Sequence, residues 1–216
     1  MNRKVPTASG TTRAGTSSAR RQQILDTATA VFAEKGIIGA TVRDISERAG
    51  ILSGSLYHHF ASKEEMIIDI LAPVVQSQID EFDRIVERQS DPAEILRLVI
   101  AAEVAQSART PNVARILRQD EHQISALGGL DEVVQHRRAI RTRVESVITN
   151  GINAGQFRPD CDPRVISLAL FDLTLGAYRH LKPLGRYSTE ELTKQLTAVL
   201  LNSLVVAENP SKRPAR

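Results

Sequence analysis

Between Ser53 and His59 the chain reads Ser-Gly-Ser-Leu-Tyr-His-His, a short run of hydroxyls, a phenol and imidazoles around one leucine. Ser53, Ser55, Tyr57, His58 and His59 can both donate and accept hydrogen bonds, and a DNA duplex offers matching partners on base edges and phosphates. Gly54 lets backbone come close to such a partner, and Lys63 adds a cation for a phosphate. Catalytic signatures are missing: the sequence has no nucleophile elbow, phosphate-binding glycine loop, dinucleotide fingerprint or His-Glu-x-x-His pair. No cofactor or metal is expected, and the chain does not read as an enzyme.

A second set of residues suits a small ligand. Glu103 stands inside the apolar segment Val99 to Ala105, where an unpartnered carboxylate would be costly. Arg137 and Arg141, spaced i, i+4, lie in a basic run with Arg138 and Arg143. Such a pair can receive phosphates of a nucleotide-bearing ligand. A solvated basic face and an internal ion pair are the competing explanations for these residues.

The DNA-facing run needs a scaffold, and the flanking residues supply one. Thr41 and Asp44 have the spacing of a capping box, and Ile45 and Ala49 then share one helix face. Gly50 is placed to stop that helix. Ser53 starts a second helix, with Leu56 and Phe60 turned inward at i, i+4. Helix, glycine turn and helix make a helix-turn-helix, whose second helix enters the major groove. Thr41 and Arg43, at the start of the first of these helices, complete the candidate DNA-binding set. Upstream, Ile24, Ala28, Val31 and Phe32 predict a helix from Arg20 to a stop at Gly36. A three-helix DNA-binding domain over residues 20–66 follows.

The residues Thr41-Val42-Arg43-Asp44-Ile45, Ala49-Gly50, Leu56-Tyr57-His58-His59-Phe60 and Ser62-Lys63-Glu64-Glu65 resemble the TetR family of bacterial transcriptional regulators. Ser53-Gly54-Ser55 before Leu-Tyr-His-His-Phe is most similar to actinobacterial members that respond to acyl-CoA thioesters of sterol breakdown. The resemblance implies a dimeric repressor on a palindromic operator, released by a small effector. It also adds Asp120, Tyr178 and Arg179 to the ligand candidates. The chain departs from those members in having no tryptophan.

The rest of the chain reads as all-α. Residues 1–19 lack apolar periodicity and carry Arg3, Lys4 and Arg13 without an acid, which predicts a disordered basic arm. A long helix runs from Ser62 toward Arg88, and Pro73 is expected to bend or break it near Ala72. Caps and glycines predict further helices near 91–108, 111–126, 130–154, 162–181 and 188–207, all in one effector-binding and dimerisation domain over 67–207. A flexible tail over 208–216 closes the chain.

The last two helices are apolar over much of their circumference, with Leu192, Leu196, Val199, Leu200 and Leu204 in one stripe. Such helices need cover from more than one neighbour, and a symmetric dimer would provide it. The single Cys161 excludes an internal disulfide, and no apolar leader or membrane span is legible, so a cytoplasmic protein is expected. The sequence therefore predicts a homodimeric, one-component repressor. A ligand-independent regulator or activator is the nearest alternative. A cytoplasmic helical ligand-binding protein or enzyme is the alternative from another class.

Overall fold

The computed structural model describes residues 11–119, 124, 130–183 and 185–205, and the regular elements among them are helices. Helix α1 spans Thr11–Gly39, with non-helical dihedrals at Gly36 (φ 76°, ψ 161°) that set off its last turn. The expected stop at Gly36 is thus present. The arm expected to be disordered over residues 1–19, however, is helical from Thr11 onward. Thr11 to Arg20 is weak in helix propensity but holds no proline, and extending an existing helix avoids the cost of a new nucleus. Residues 17–20 are exposed, so this extension leaves no apolar period for the sequence to reveal.

Helix α2 (Val42–Arg48) opens on the capping box of Thr41 and Asp44. It ends where Gly50 takes φ 64°, with Gly50 N donating to Glu47 O (3.2 Å) and Ile51 N to Ser46 O (3.0 Å). That is the Schellman arrangement, and only glycine adopts its left-handed residue cheaply. Helix α3 (Ser53–Tyr57) follows after two residues, and Phe60 packs just beyond it.

Helix α4 (Lys63–Arg88) runs through Pro73 without a break. Proline removes one amide donor, but the buried Ile70, Leu71 and Val75 on either side hold the two halves in line. A domain boundary at residues 66 and 67 would therefore fall inside a continuous helix. Helix α5 (Pro92–Arg109) and helix α6 (Pro111–Gln119) each begin at a proline. The remainder of the helix expected over 111–126 lies outside the described residues, apart from a helical Ile124. Helix α7 spans Asp131–Asn153 and helix α8 Pro163–Leu175. The single helix expected over 162–181 stops at Gly176 and continues as a 3-10 turn, Ala177–Arg179. Helix α9 (Thr189–Leu204) opens on the Ser188–Glu191 capping box. The tail over 208–216 is outside the described residues.

Two apolar cores divide the molecule. The first joins α1, α2 and α3 to the first half of α4, and it also takes in Val113, Ile116 and Leu117 of α6. The second joins the rest of α4, from Ile79, to α5, α7, α8 and α9. So α4 belongs to both cores, and α6 packs with the head although it follows α5 in sequence. This is why a linear boundary cannot separate a head from a body.

The stripe on α9 splits in the same way. Leu192, Leu200 and Leu204 are buried within the protomer, whereas Val199 is 62% exposed. Val165 (58%), Leu168 and Leu173 are exposed on α8. No helix among the described residues is long and apolar enough to cross a membrane.

Candidate DNA-reading surface and effector cavity

The head is tied together by charge as well as by its core. Arg48 pairs with Glu34 (2.7 Å) and Lys35 with Asp44, joining α2 to α1. The Lys35 ammonium and the capping bonds from Thr41 hold the Asp44 carboxyl well below the usual range. Arg21 lies over the Phe60 ring at 4.4 Å and pairs with Glu65 and Asp69, which fixes α1 against α4. Ser46 is buried, and its hydroxyl is 2.8 Å from that of Ser53. This bond couples α2 to the start of α3.

On this frame the candidate residues fall into two groups. Arg43, Gly54, Tyr57 and His58 are exposed, and Ser55 and His59 are half-buried. Arg43 pairs with Glu47 at 2.7 Å, and that partner raises its pKa, yet the arginine side chain stays 82% exposed. A side chain added at Gly54 would meet nothing within 4 Å, so the backbone there is open to a close partner. Thr41 and Ser53 are exposed as well, but their hydroxyls make hydrogen bonds within the head. Thr41 spends its hydroxyl on the Asp44 cap, donating to the carboxylate (2.7 Å) and accepting from the amide (3.1 Å). Ser53 is engaged by Ser46.

Lys63 differs from expectation. Its ammonium donates to the carbonyls of Ile37 (3.0 Å) and Ala40 (3.2 Å). Those oxygens stand at the end of α1, where carbonyls lack helical partners. Without DNA the lysine thus serves as a cap, its ammonium engaged within the head. Lys63→Ala is expected to lower stability by about 1–2 kcal/mol while leaving the salt dependence of DNA affinity unchanged. Thermal unfolding and titrations at several salt concentrations check both halves. A salt slope reduced by about one unit would return Lys63 to the phosphates.

The body holds a cavity of about 270 Å³ between α4, α5 and α7, lined on its apolar side by Phe82, Ile85, Val99, Ala102 and Ile140. Glu103 is buried at its inner end and accepts a 2.6 Å bond from Gln78 Nε2. Beyond this pair lies a second, smaller space lined by Arg137, Arg141, Leu168 and Phe171. Glu103 and Gln78 line both, so they stand at the junction. Arg137 also donates to Leu117 O (3.1 Å) near the end of α6. One residue of the body thus touches both the smaller space and a helix that packs in the head.

Burial pushes the Glu103 carboxyl up to about 7, against the weaker opposing pull of Gln78 and of the Arg137 charge. Because the folded pKa lies above the ordinary value, the folded state holds the proton more tightly. The resulting stability is complete below the ordinary glutamate pKa and is lost as pH rises through about 7. Glu103→Gln removes that dependence. The variant is expected to match wild type near pH 4 and to exceed it by up to roughly 3 kcal/mol at pH 8, read by urea unfolding. Equal stability of the two proteins at both pH values would contradict the shift.

Of the remaining ligand candidates, Tyr178 and Arg179 sit in the 3-10 turn, outside both spaces. The Tyr178 amide donates to Ser107 Oγ (3.0 Å), and Arg179 is exposed. The stop at Gly176 turns both away from the line that a continuous helix would have given them. Asp120 lies outside the described residues. Gln78 and Phe82 were missed by the sequence reading, because on α4 they look like an ordinary polar flank and core stripe. Leu52 was missed as part of a turn, yet it is 83% exposed.

Comparison with known proteins agrees with this architecture. Residues 24–70 match the pattern described as "Bacterial regulatory proteins, tetR family". Residues 89–204 match "Tetracyclin repressor-like, C-terminal domain". The HTH-type transcriptional repressor KstR2 of Mycobacterium tuberculosis is 33% identical over 192 residues, covering 88% of this chain and 96% of that one. The solved structure of that organism's ketosteroid transcriptional regulator KstR2 superposes with a TM-score of 0.79 at 31% identity, over 87% of this chain and 96% of that chain. AibR, solved in complex with isovaleryl coenzyme A and operator DNA, shares the fold at a TM-score of 0.70 and 22% identity, over 84% of this chain and 98% of that one.

Proposed function

Because the chain belongs to the TetR family of bacterial regulatory proteins, we propose that it is a cytoplasmic homodimeric repressor that a hydrophobic acyl-CoA releases from a palindromic operator. That the chain is a transcriptional regulator and not an enzyme follows from the family itself. The proposal concerns its residues, its partner copy and its effector.

The observation that carries the proposal is the pairing of an exposed reading head with a divided cavity behind it. An apolar acyl or ring system suits the space beside Phe82, Ile85, Val99 and Ile140. Arg137 and Arg141 suit the anionic part of such a ligand. At about 270 Å³ the cavity favours a compact apolar group, with the coenzyme's nucleotide held outside it. The M. tuberculosis relative is a ketosteroid transcriptional regulator, which is consistent with a ring-bearing acyl group here.

Release then has a physical route. A ligand drawn to Arg137 competes with Leu117 O for the same guanidinium. Loosening that bond shifts α6, and with it the core that sets α1 to α3. Two half-sites one turn apart require recognition helices about 34 Å apart, so a small change of head spacing costs both contacts.

The exposed apolar residues on α8 and α9 support a two-fold dimer, since they are the part of that stripe the protomer leaves uncovered. Affinity selection from random duplexes tests the DNA half of the proposal. The expected product is an inverted repeat, bound with strong salt dependence. Failure to enrich any duplex would overturn it.

A further inference from the structure

Leu52 is the most exposed large apolar side chain of the described residues, at 83%, and it stands at the start of the helix that would enter the major groove. Its position is fixed rather than loose. The Leu52 carbonyl accepts from the amides of Ser55 (2.9 Å) and Leu56 (3.3 Å), and Leu56 behind it is fully buried. The neighbouring Ser53 hydroxyl, though exposed, directs one of its hydrogen bonds to the buried Ser46 within the head. Gly54 beside it has open space where a side chain would be. The leading edge of α3 therefore presents one isobutyl group, beside the exposed Ser53 and the bare backbone of Gly54.

Base edges in the major groove offer hydrogen-bond donors and acceptors, with one apolar exception. The C5-methyl of thymine is the group that an aliphatic side chain can cover. The N-terminal residues of a recognition helix are the ones that reach those edges. We propose that Leu52 is a base-reading residue, packing on a thymine methyl in each operator half-site. The inference rests on the DNA-binding reading above and adds a specificity that hydroxyls and imidazoles would not provide. It also accounts for a leucine that neither the head core nor the second core uses.

Uracil differs from thymine only by that methyl group, so it separates apolar contact from hydrogen bonding. In a duplex selected by the full-length protein, each thymine is replaced by uracil, in both half-sites at once. At one position the change is expected to weaken wild type by about ten-fold, roughly a four-fold loss for each methyl left unburied, less incomplete cover. Leu52→Ala should bind the parent duplex about as weakly and show no further loss with uracil. Its affinity for random duplex DNA should equal that of wild type, because the side chain packs on nothing in the head. The proposal is overturned if wild type tolerates uracil everywhere, or if Leu52→Ala keeps the same sensitivity. It is also overturned if Leu52→Ala weakens all sequences alike, which would mark a sugar or backbone contact. Failure to enrich any duplex would instead defeat the DNA-binding reading from which the inference starts.

Discussion

With Val165→Glu and Val199→Glu combined, the protein is expected to sediment as a monomer at micromolar concentration and to bind its operator about 100-fold or more weakly. Both positions are mostly exposed within one protomer, so glutamate there costs the monomer little. In a two-fold interface the same side chains are covered, and each appears twice. The dimer would then bury four like charges, a cost that no apolar contact nearby offsets. Affinity falls so far because joining two half-site readers makes the second contact intramolecular. Circular dichroism should show helicity retained, and sedimentation gives the mass. Leu200→Glu is the wrong test of this face. Leu200 is buried inside the protomer, and a charge there would disturb the second core before it disturbed a partner.

The second large effect concerns release. Arg141→Ala should leave operator affinity within about two-fold of wild type and raise the acyl-CoA concentration needed for release by about ten-fold, whereas adding Arg137→Ala, which removes the bond to Leu117 O, should also weaken operator binding without ligand. Each lost charge-assisted bond to an anionic ligand is worth about 1.5–3 kcal/mol, and part of that is recovered by water in an open space. Arg137 also caps α6 through Leu117 O, so a modest fall in thermal stability should accompany the change. Arg141→Ala alone keeps both the Arg137 bond to Leu117 O and the backbone carbonyl that accepts from Ser167. If both variants respond to the thioester as wild type does, the arginines are a solvated face and not an anion site.

Much of the head was legible because its signals are local. Thr41 and Asp44 cap within one turn, Gly50 stops a helix at the residue that needs positive φ, and Leu56 and Phe60 mark the inward face by spacing alone. Most helix boundaries in the body were legible for the same reason, since proline and capping residues act within a few positions.

What was not legible depends on contacts distant in sequence. Lys63 reads as a phosphate ligand until Ile37 and Ala40 are seen to present their carbonyls to it across 26 and 23 residues. Gln78 has no mark on α4, and its importance comes from Glu103, 25 residues later. The membership of α6 in the head core is equally invisible, because a sequence orders α6 after α5 and says nothing of which core it enters. Arg179 lies outside both spaces for a local reason: Gly176 ends α8 and changes the direction of the chain, where the sequence suggested one helix to residue 181.

The central claim is that one small-molecule class, the hydrophobic acyl-CoA thioesters, lifts this regulator from DNA. Fluorescence anisotropy of a labelled, selected operator tests it most directly, titrated with isovaleryl-, octanoyl- and steroid-acid coenzyme A thioesters. Coenzyme A alone and the corresponding acids serve as controls. The account predicts that at least one thioester dissociates the complex at micromolar concentration, and that its acid and coenzyme A each need about ten-fold more or fail. An operator complex that keeps its full anisotropy with every thioester, with no shift in the protein's melting temperature, would contradict it.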